Sequence, residues 1–163
     1  MLLSLWFLSA PVHADDAVSV TAEDLTCLQD WPSVGRTRYA SVTGRLEEAL
    51  EVARDPEGGV YPPGTVVVLQ PTEAMVKHQP GWSEATHDWE YLKVKVGRKG
   101  QVSIAERGAE EVKNIAGFCH ACHAPAVTHD HVCMAGHGCD PLPGFILKMA
   151  LKSVDKDPRC VAR

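Results

Sequence analysis

The stretch WEYLKVKVGRKGQVSIAE, residues 89–106, carries the strongest secondary-structure pattern of this chain. Apolar and polar side chains alternate along Trp89–Val96 and again along Gln101–Glu106, which is the period of half-buried β-strands. The residues Gly97-Arg98-Lys99-Gly100 separate the two runs and suit a short turn. The stretch therefore predicts an antiparallel β-hairpin.

The segments around this hairpin indicate an α+β fold class, with a small antiparallel β-sheet and flanking helices. Thr65–Leu69 is a β-branched run between turn residues and predicts a buried strand. Over residues 44–54, Leu and Ala recur at helical spacing and predict an amphipathic helix. Residues 15–40 are expected to be irregular, and further helical segments are predicted at residues 71–77, 110–116 and 145–151.

The composition limits the class of protein. With 163 residues, of which 45% are hydrophobic and 23% charged, the chain has the size and the core of one globular domain. Its formal net charge is -5, and acidic and basic residues are interspersed. Because nucleic acids and anionic membranes bind clustered Lys and Arg, we expect no nucleic-acid partner.

The N-terminus favours export. Residues 1–14 form an apolar run that ends in Val12-His13-Ala14, as secretory signal peptides do, and the run is too short to span a bilayer. A buried first helix is the alternative, because no basic residue precedes the run. We expect a signal peptide at 1–14 and a single periplasmic domain at 15–163, without an integral membrane span after cleavage.

Residues 118–140 hold four of the six cysteines and carry the clearest functional motif. Cys119-His120-Ala121-Cys122-His123 fits C-x-x-C-H, the attachment pattern of haem c. Two thiols one helical turn apart can bond to one porphyrin edge, and the next imidazole can then bind the iron. The pattern should arise by chance at only about 0.01 copies in such a chain. It predicts a cofactor site of Cys119, Cys122 and His123, with His123 as the metal ligand.

Two other readings of this region stay open. Cys119 and Cys122 could instead be structural or redox cysteines, although a thioredoxin-like site would require a βαβ context. A structural zinc ion is the other alternative, because tetrahedral sets could be drawn from Cys119, Cys122, His129, His131, Cys133, His137 and Cys139.

Attachment of haem would leave an even number of cysteines, Cys27, Cys133, Cys139 and Cys160, which allow three pairings. Because exported proteins form disulfides, we expect these four to pair. We favour Cys133 with Cys139, across a loop that can turn tightly, and Cys27 with Cys160, which would tie the irregular N-terminal segment to the C-terminus. The remaining histidines are expected to be solvated or hydrogen-bonded side chains rather than ligands: His78, His87, His120, His129, His131 and His137.

The order of motifs resembles a known family. Tyr61-Pro62-Pro63-Gly64-Thr65 leads into a Val-rich strand, Asp88-Trp89-Glu90-Tyr91 opens the hairpin, and Phe118–Ala126 is followed by Asp130-His131-Val132. Over about residues 45–135 this order is similar to the cytochrome P-460 and cytochrome c′-beta superfamily.

The resemblance implies a mostly antiparallel β-fold with one covalent haem c, thioethers at Cys119 and Cys122, and His123 as the proximal iron ligand. It also implies a distal face that meets small molecules such as NO or CO, and often a homodimer. The hydroxylamine-oxidising members have a lysine cross-linked to the haem. The strand at residues 65–70 contains no lysine, and nothing aligns Lys77, Lys93 or Lys95 with that position.

We therefore expect an exported monohaem c-type cytochrome that acts in electron transfer or in binding and handling small ligands such as NO. Its partner would be a small-molecule ligand or a redox partner protein. The alternative is a haem enzyme that oxidises a hydroxylamine-like compound or peroxide, with no catalytic residue assigned. The side chains available for acid–base chemistry are Glu73, Glu90 and His78. The possible sixth iron ligands are Met75, Met134 and Met149.

Overall fold

A computed structural model describes residues 18–114, 117–133, 139 and 143–161. Six strands form one sheet, in which strands consecutive in sequence are neighbours and every neighbouring pair is antiparallel. This arrangement confirms the α+β class, while the predicted signal peptide lies outside the described residues. The strands are β1 (Ser33–Val34), β2 (Thr37–Ser41), β3 (Thr65–Val68), β4 (Glu73–Lys77), β5 (Trp89–Val96) and β6 (Val102–Gly108).

The predicted hairpin is confirmed as β5 and β6. Val96 pairs with Val102, and the amide of Gly97 donates to the carbonyl of Gln101 at 2.8 Å to close the turn. Gly100 has a φ of 81°, a conformation that glycine adopts without steric penalty. The second strand runs to Gly108, with a register shift opposite Lys93 and Val94.

The remaining regular elements are short. The predicted helices at 44–54 and 145–151 are confirmed as α1 (Leu46–Arg54) and a longer C-terminal helix. The C-x-x-C-H motif itself forms one short helix. The other elements are β7 (Lys113–Asn114), β8 (Gly117–Phe118), α2 (Cys119–His123), α3 (Gly144–Asp155) and 3₁₀ turns at Leu28–Asp30, Val127–His129 and Pro158–Cys160.

Three local predictions were wrong. Residues 71–77 contain strand β4 rather than a helical turn, because β3 and β5 supply hydrogen-bond partners on both of its edges. Within 110–116, Lys113–Asn114 pair with β8 instead of forming a helix, and residues 115–116 lie outside the description. The lead-in at 15–40 is not wholly irregular, because β1 and β2 form a hairpin.

The sheet buries both of its faces. Alternation along the strands sends Tyr39, Val67, Met75, Trp89 and Tyr91 to one face, which packs on α1 and on Cys119 of α2. We call this the α2 face. The opposite face, here the α3 face, carries Val66, Val68, Ala74, Val76, Leu92 and Val94, and it packs on the N-terminal segment and on Val154 of α3.

Two disulfides join the cysteines outside the motif, Cys27–Cys160 and Cys133–Cys139, as predicted. The first ties the N-terminal segment to the end of the chain. Cys119 and Cys122 are free thiols. Two disulfides indicate a secreted or otherwise oxidising environment. Among the described residues, no helix is both long and apolar enough to cross a membrane.

Candidate haem-attachment site

Helix α2 presents the two free thiols of the chain one helical turn apart. The β7–β8 ladder leads directly into α2, and the amide of Cys119 donates to the carbonyl of Val112 at 3.0 Å, which fixes the start of the helix. Cys119 is half-buried against the α2 face, whereas Cys122 is exposed. The two sulfur atoms are thus available for covalent attachment on one side of a short, anchored helix.

The ring of His123 is held by a backbone carbonyl. Its Nδ1 lies 2.8 Å from the carbonyl oxygen of His131. Because a carbonyl only accepts, the proton of the neutral ring is on Nδ1, and Nε2 keeps its lone pair. Burial lowers the pKa of His123, which favours this neutral form. The tautomer is the one that coordinates a metal through Nε2.

The acceptor for His123 lies in an unusual turn. Asp130 and His131 have φ values of 48° and 61°, the left-handed region that residues other than glycine rarely adopt. The next residue but one, Cys133, places its disulfide sulfur 3.4 Å from His123 Nδ1. Residues 130–133 therefore form a cradle around the back of the imidazole, and the strain in the turn must be offset by other contacts.

The contacts that hold this turn converge on Asp130. The ammonium of Lys77 lies 2.7 Å from its carboxylate, and the amide of Tyr61 donates to the same carboxylate at 2.9 Å. The indole N–H of Trp89 donates to the Asp130 carbonyl at 2.6 Å. Burial raises the pKa of Asp130, while Lys77 acts in the opposite direction. Strands β4 and β5 thus position the cradle.

Several buried polar atoms beside the motif lack a partner. The ring of Tyr91 lies 5.5 Å from that of His123, measured between ring centroids, and burial raises the pKa of its phenol. Among the described residues, neither the Tyr91 hydroxyl, Nδ1 of His120 nor either ring nitrogen of His131 has a hydrogen-bond partner. Burial lowers the pKa of His131 to about 4. Buried polar atoms of this kind normally bind water, an ion or a prosthetic group.

The histidines that were predicted to be solvated or hydrogen-bonded differ in their surroundings. His129 and His131 are buried, because the 3₁₀ turn and the turn at Asp130 fold the segment back onto the sheet. Nδ1 of His129 lies 2.9 Å from the hydroxyl of Thr128, which agrees with a hydrogen-bonded side chain. His87 is exposed to solvent, yet the centroid of its ring lies 4.4 Å from that of His131. His137 lies outside the described residues.

Two of the three acid–base candidates lie away from α2. Glu90 points to the α3 face, where it lies 3.0 Å from His78 and 2.6 Å from Arg107. Glu90 and His78, which are buried, are therefore engaged in a separate network with the exposed Arg107. Glu73, on β4, is half-buried and contributes to raising the pKa of Cys119.

The candidate sixth ligands are also dispersed. Met75 is buried in the core of the α2 face, and Met149 is 60% exposed on α3. Met134 lies outside the described residues. Of the three valines in β3, only Val67 lies on the α2 face. The valines of β3 therefore fill the core on both sides of the sheet.

The thiol of Cys119 is not a reactive thiolate. Burial, with a smaller effect from Glu73, raises its pKa to about 11. Such a thiol is protonated at neutral pH and is a poor redox nucleophile. Within the described ranges, no group of three or more His, Cys, Asp or Glu side chains is arranged to hold a metal ion.

Sequence reasoning did not identify Tyr91, Lys77 or Asp130 as part of the site. Lys77 and Asp130 are 53 residues apart, so no local pattern connects them. Compared with protein-family models, with curated proteins and with solved structures, the chain gives no match. The identification of this candidate site therefore depends on the sequence motif and on the geometry around residues 119–133.

Proposed function

We propose that the chain is an exported monohaem c-type cytochrome, with haem c attached through Cys119 and Cys122 and with His123 as the proximal iron ligand. One observation carries this proposal. The four cysteines outside C-x-x-C-H are paired in disulfides, while the two cysteines of the motif are free and lie beside a histidine whose Nδ1 is occupied. This is the arrangement that thioether attachment and axial ligation through Nε2 require.

The residues around α2 fit such a group. Tyr91, His120 and His131 have buried polar atoms without partners, as expected where a prosthetic group and its water are to be accommodated. When bound, haem c would supply one-electron redox chemistry and an iron that can bind small molecules. The chain itself holds the proton on His123 Nδ1 and aims the ring through the carbonyl of His131. The preceding residue, Asp130, is held in place by Trp89 and Lys77.

The same geometry favours haem over the two other readings. Cys133 and Cys139 are consumed by their disulfide, which removes two of the seven donors considered for zinc. The raised pKa of Cys119 disfavours a thioredoxin-like dithiol. Membership of the cytochrome P-460 and cytochrome c′-beta superfamily is part of this proposal, and the antiparallel sheet supports it because the resemblance implies such a fold.

We propose electron transfer or the binding of a small ligand such as NO, rather than turnover. Glu90 and His78, two of the candidate acid–base residues, are bound to each other on the opposite side of the sheet from α2. The Nζ of Lys77 is committed to Asp130 and to the carbonyl of His87, so it does not take the place of the cross-linking lysine. A periplasmic location and a homodimer complete the proposal, and the two disulfides support an oxidising compartment.

The test is expression in a bacterial periplasm with the haem c maturation machinery. Wild type is expected to carry haem that survives denaturation, and Cys119→Ala or Cys122→Ala to lose much of it. The matched control, Cys27→Ala with Cys160→Ala, removes two cysteines without touching the motif and is expected to keep covalent haem. A colourless wild-type protein would overturn the proposal.

Absorption spectra then separate the possible roles. Oxidised and reduced protein, with and without CO, report the number of iron ligands and access to the distal side. His123→Ala is expected to retain attached haem with a changed spin state, and an unchanged spectrum would refute the proximal assignment. Rapid turnover of hydroxylamine or peroxide would replace the binding role with the enzymatic alternative.

A further inference from the structure

We infer that the Cys133–Cys139 disulfide positions the imidazole of His123, and that reduction of this disulfide by a dithiol shifts the redox equilibrium of the bound haem. The inference rests on the proposed function, because it requires haem iron on His123. It goes further by naming a regulatory pair and the chemical class of its partner, a dithiol reductant.

The Cys133–Cys139 disulfide contacts the imidazole ring of His123. Sγ of Cys133 lies 3.4 Å from Nδ1 of His123, and the carbonyl of His131 lies 2.8 Å from the same nitrogen. A disulfide sulfur carries no hydrogen, so both neighbours only accept. Together they keep the proton on Nδ1. A free Cys133 thiol would instead bring a hydrogen-bond donor to this position.

The cradle, residues 130–133, is restrained at both of its ends. At its N-terminal end, the carboxylate of Asp130 is fixed by Lys77 and by the amide of Tyr61. At its C-terminal end, Cys133 is fixed by its bond to Cys139. The carbonyl of His131 lies between these two restraints. Removing the disulfide would therefore release one side of the acceptor that holds His123.

The hydrogen bond from His123 Nδ1 to the carbonyl of His131 would affect an iron bound to the same ring. A partner that accepts from the far nitrogen of a metal-bound histidine makes the ring a stronger donor, and changes in such partners typically alter metal affinity by about 10–100-fold. A stronger donor favours Fe(III) over Fe(II). Weakening the bond to His131 should therefore favour Fe(II) and raise the reduction potential.

The chemistry of the switch balances as thiol–disulfide exchange. The S–S bond between Cys133 and Cys139 breaks, two electrons and two protons produce two thiols, and the dithiol that supplies them becomes a disulfide. Cys133 and Cys139 are both half-buried, whereas in the other disulfide only Cys160 is half-buried and Cys27 is 4% exposed. Because exchange needs access to sulfur, the pair next to His123 should react first.

The experiment uses haem-loaded protein, in which Cys119 and Cys122 are in thioethers and cannot exchange. Potentiometric titration compares wild type with Cys133→Ala/Cys139→Ala and with the matched control Cys27→Ala/Cys160→Ala. We expect a roughly tenfold shift towards Fe(II) in the first variant, equivalent to about 59 mV for one electron, and less than a twofold shift in the control.

A second measurement does not depend on any variant. Wild type is treated anaerobically with dithiothreitol, freed of it, and titrated, while its thiols are labelled and located by mass spectrometry. Labelling of Cys133 and Cys139 before Cys27 and Cys160, together with the same shift towards Fe(II), is expected. An unchanged equilibrium in haem-loaded protein with both thiols labelled would overturn the inference and leave the proposed function standing. Failure of wild type to bind haem would instead overturn the proposed function itself.

Discussion

Lys77 and Asp130 form a buried ion pair that joins the sheet to the segment holding His123. Their charged atoms lie 2.7 Å apart, and the side chains are 5% and 3% exposed. The ammonium also donates to the carbonyl of His87 at 2.7 Å and lies 5.2 Å from the ring centroid of Trp89. Because each charge is paired and hydrogen-bonded, the interior tolerates both of them.

We predict that Lys77→Met is strongly destabilising. It leaves the Asp130 carboxylate buried without its counter-ion, a change that typically costs about 3–5 kcal/mol. The matched control is Lys93→Met, which breaks an ion pair with Glu106 whose side chains are 43% and 49% exposed. Such exposed pairs contribute about 0–1 kcal/mol.

Urea unfolding at pH 7 measures both free energies. Equal losses of stability in the two variants would show that the Lys77–Asp130 pair does not hold the cradle.

Gly58 marks a close approach between the end of α1 and the segment before Asp130. Its φ is 80°, and a Cβ placed there would clash with the backbone carbonyl of Thr128. Gly35 has a similar φ of 60° but open space around it. We predict that Gly35→Ala costs about 1–2 kcal/mol from the backbone conformation alone, and that Gly58→Ala costs about 1–3 kcal/mol more because of overpacking.

Thermal and urea unfolding of the two alanine variants test this difference. A Gly58→Ala protein as stable as Gly35→Ala would mean that the turn at residues 127–130 does not pack against Gly58 as described.

Structural features that depend on residues close together in the chain could be predicted from the sequence. The alternation in β5 and β6, the helical spacing in α1 and the C-x-x-C-H spacing each depend on residues close together in the chain. Strand β4 was missed because Glu73-Ala74-Met75 has high helix propensity, and its strand conformation comes from pairing with two neighbouring strands.

Local sequence patterns could not predict the surroundings of His123. They depend on the left-handed turn at Asp130 and His131 and on a lysine 53 residues before Asp130. A left-handed conformation at non-glycine residues is imposed by tertiary contacts, and the residues themselves do not signal it. The histidines of this segment were therefore predicted only to be solvated or hydrogen-bonded, and the burial of His131 was not foreseen.

The two disulfides should contribute unequally to stability. They close loops with sequence separations of 133 for Cys27–Cys160 and 6 for Cys133–Cys139. Loop-closure entropy in the unfolded chain then predicts losses of about 5 and about 2 kcal/mol when each pair is replaced by alanine. Denaturant unfolding of haem-free protein measures both. A larger loss for the shorter loop would show that native contacts of Cys133, rather than chain entropy, dominate.

The buried carboxylate of Glu90 should make the stability of the fold depend on pH. Burial raises its pKa, but hydrogen bonds from His78 and Arg107 lower it more, so the pKa lies below its ordinary value. A carboxyl whose pKa is lower in the folded state stabilises the fold above its unfolded pKa, and this contribution is lost as the pH falls through the folded pKa.

We therefore expect Glu90→Gln to be less stable than wild type by about 2 kcal/mol at pH 7, the scale of hydrogen bonds to a charged group. The difference should shrink as the pH falls below about 4.5, because protonated Glu90 loses its charge as the variant does. Urea unfolding between pH 7 and pH 3 measures this change. The control, Glu106→Gln at a half-exposed site, is expected to give a small difference throughout. A difference for Glu90→Gln that persists unchanged at pH 3 would mean that packing, and not the ionised carboxylate, stabilises this network.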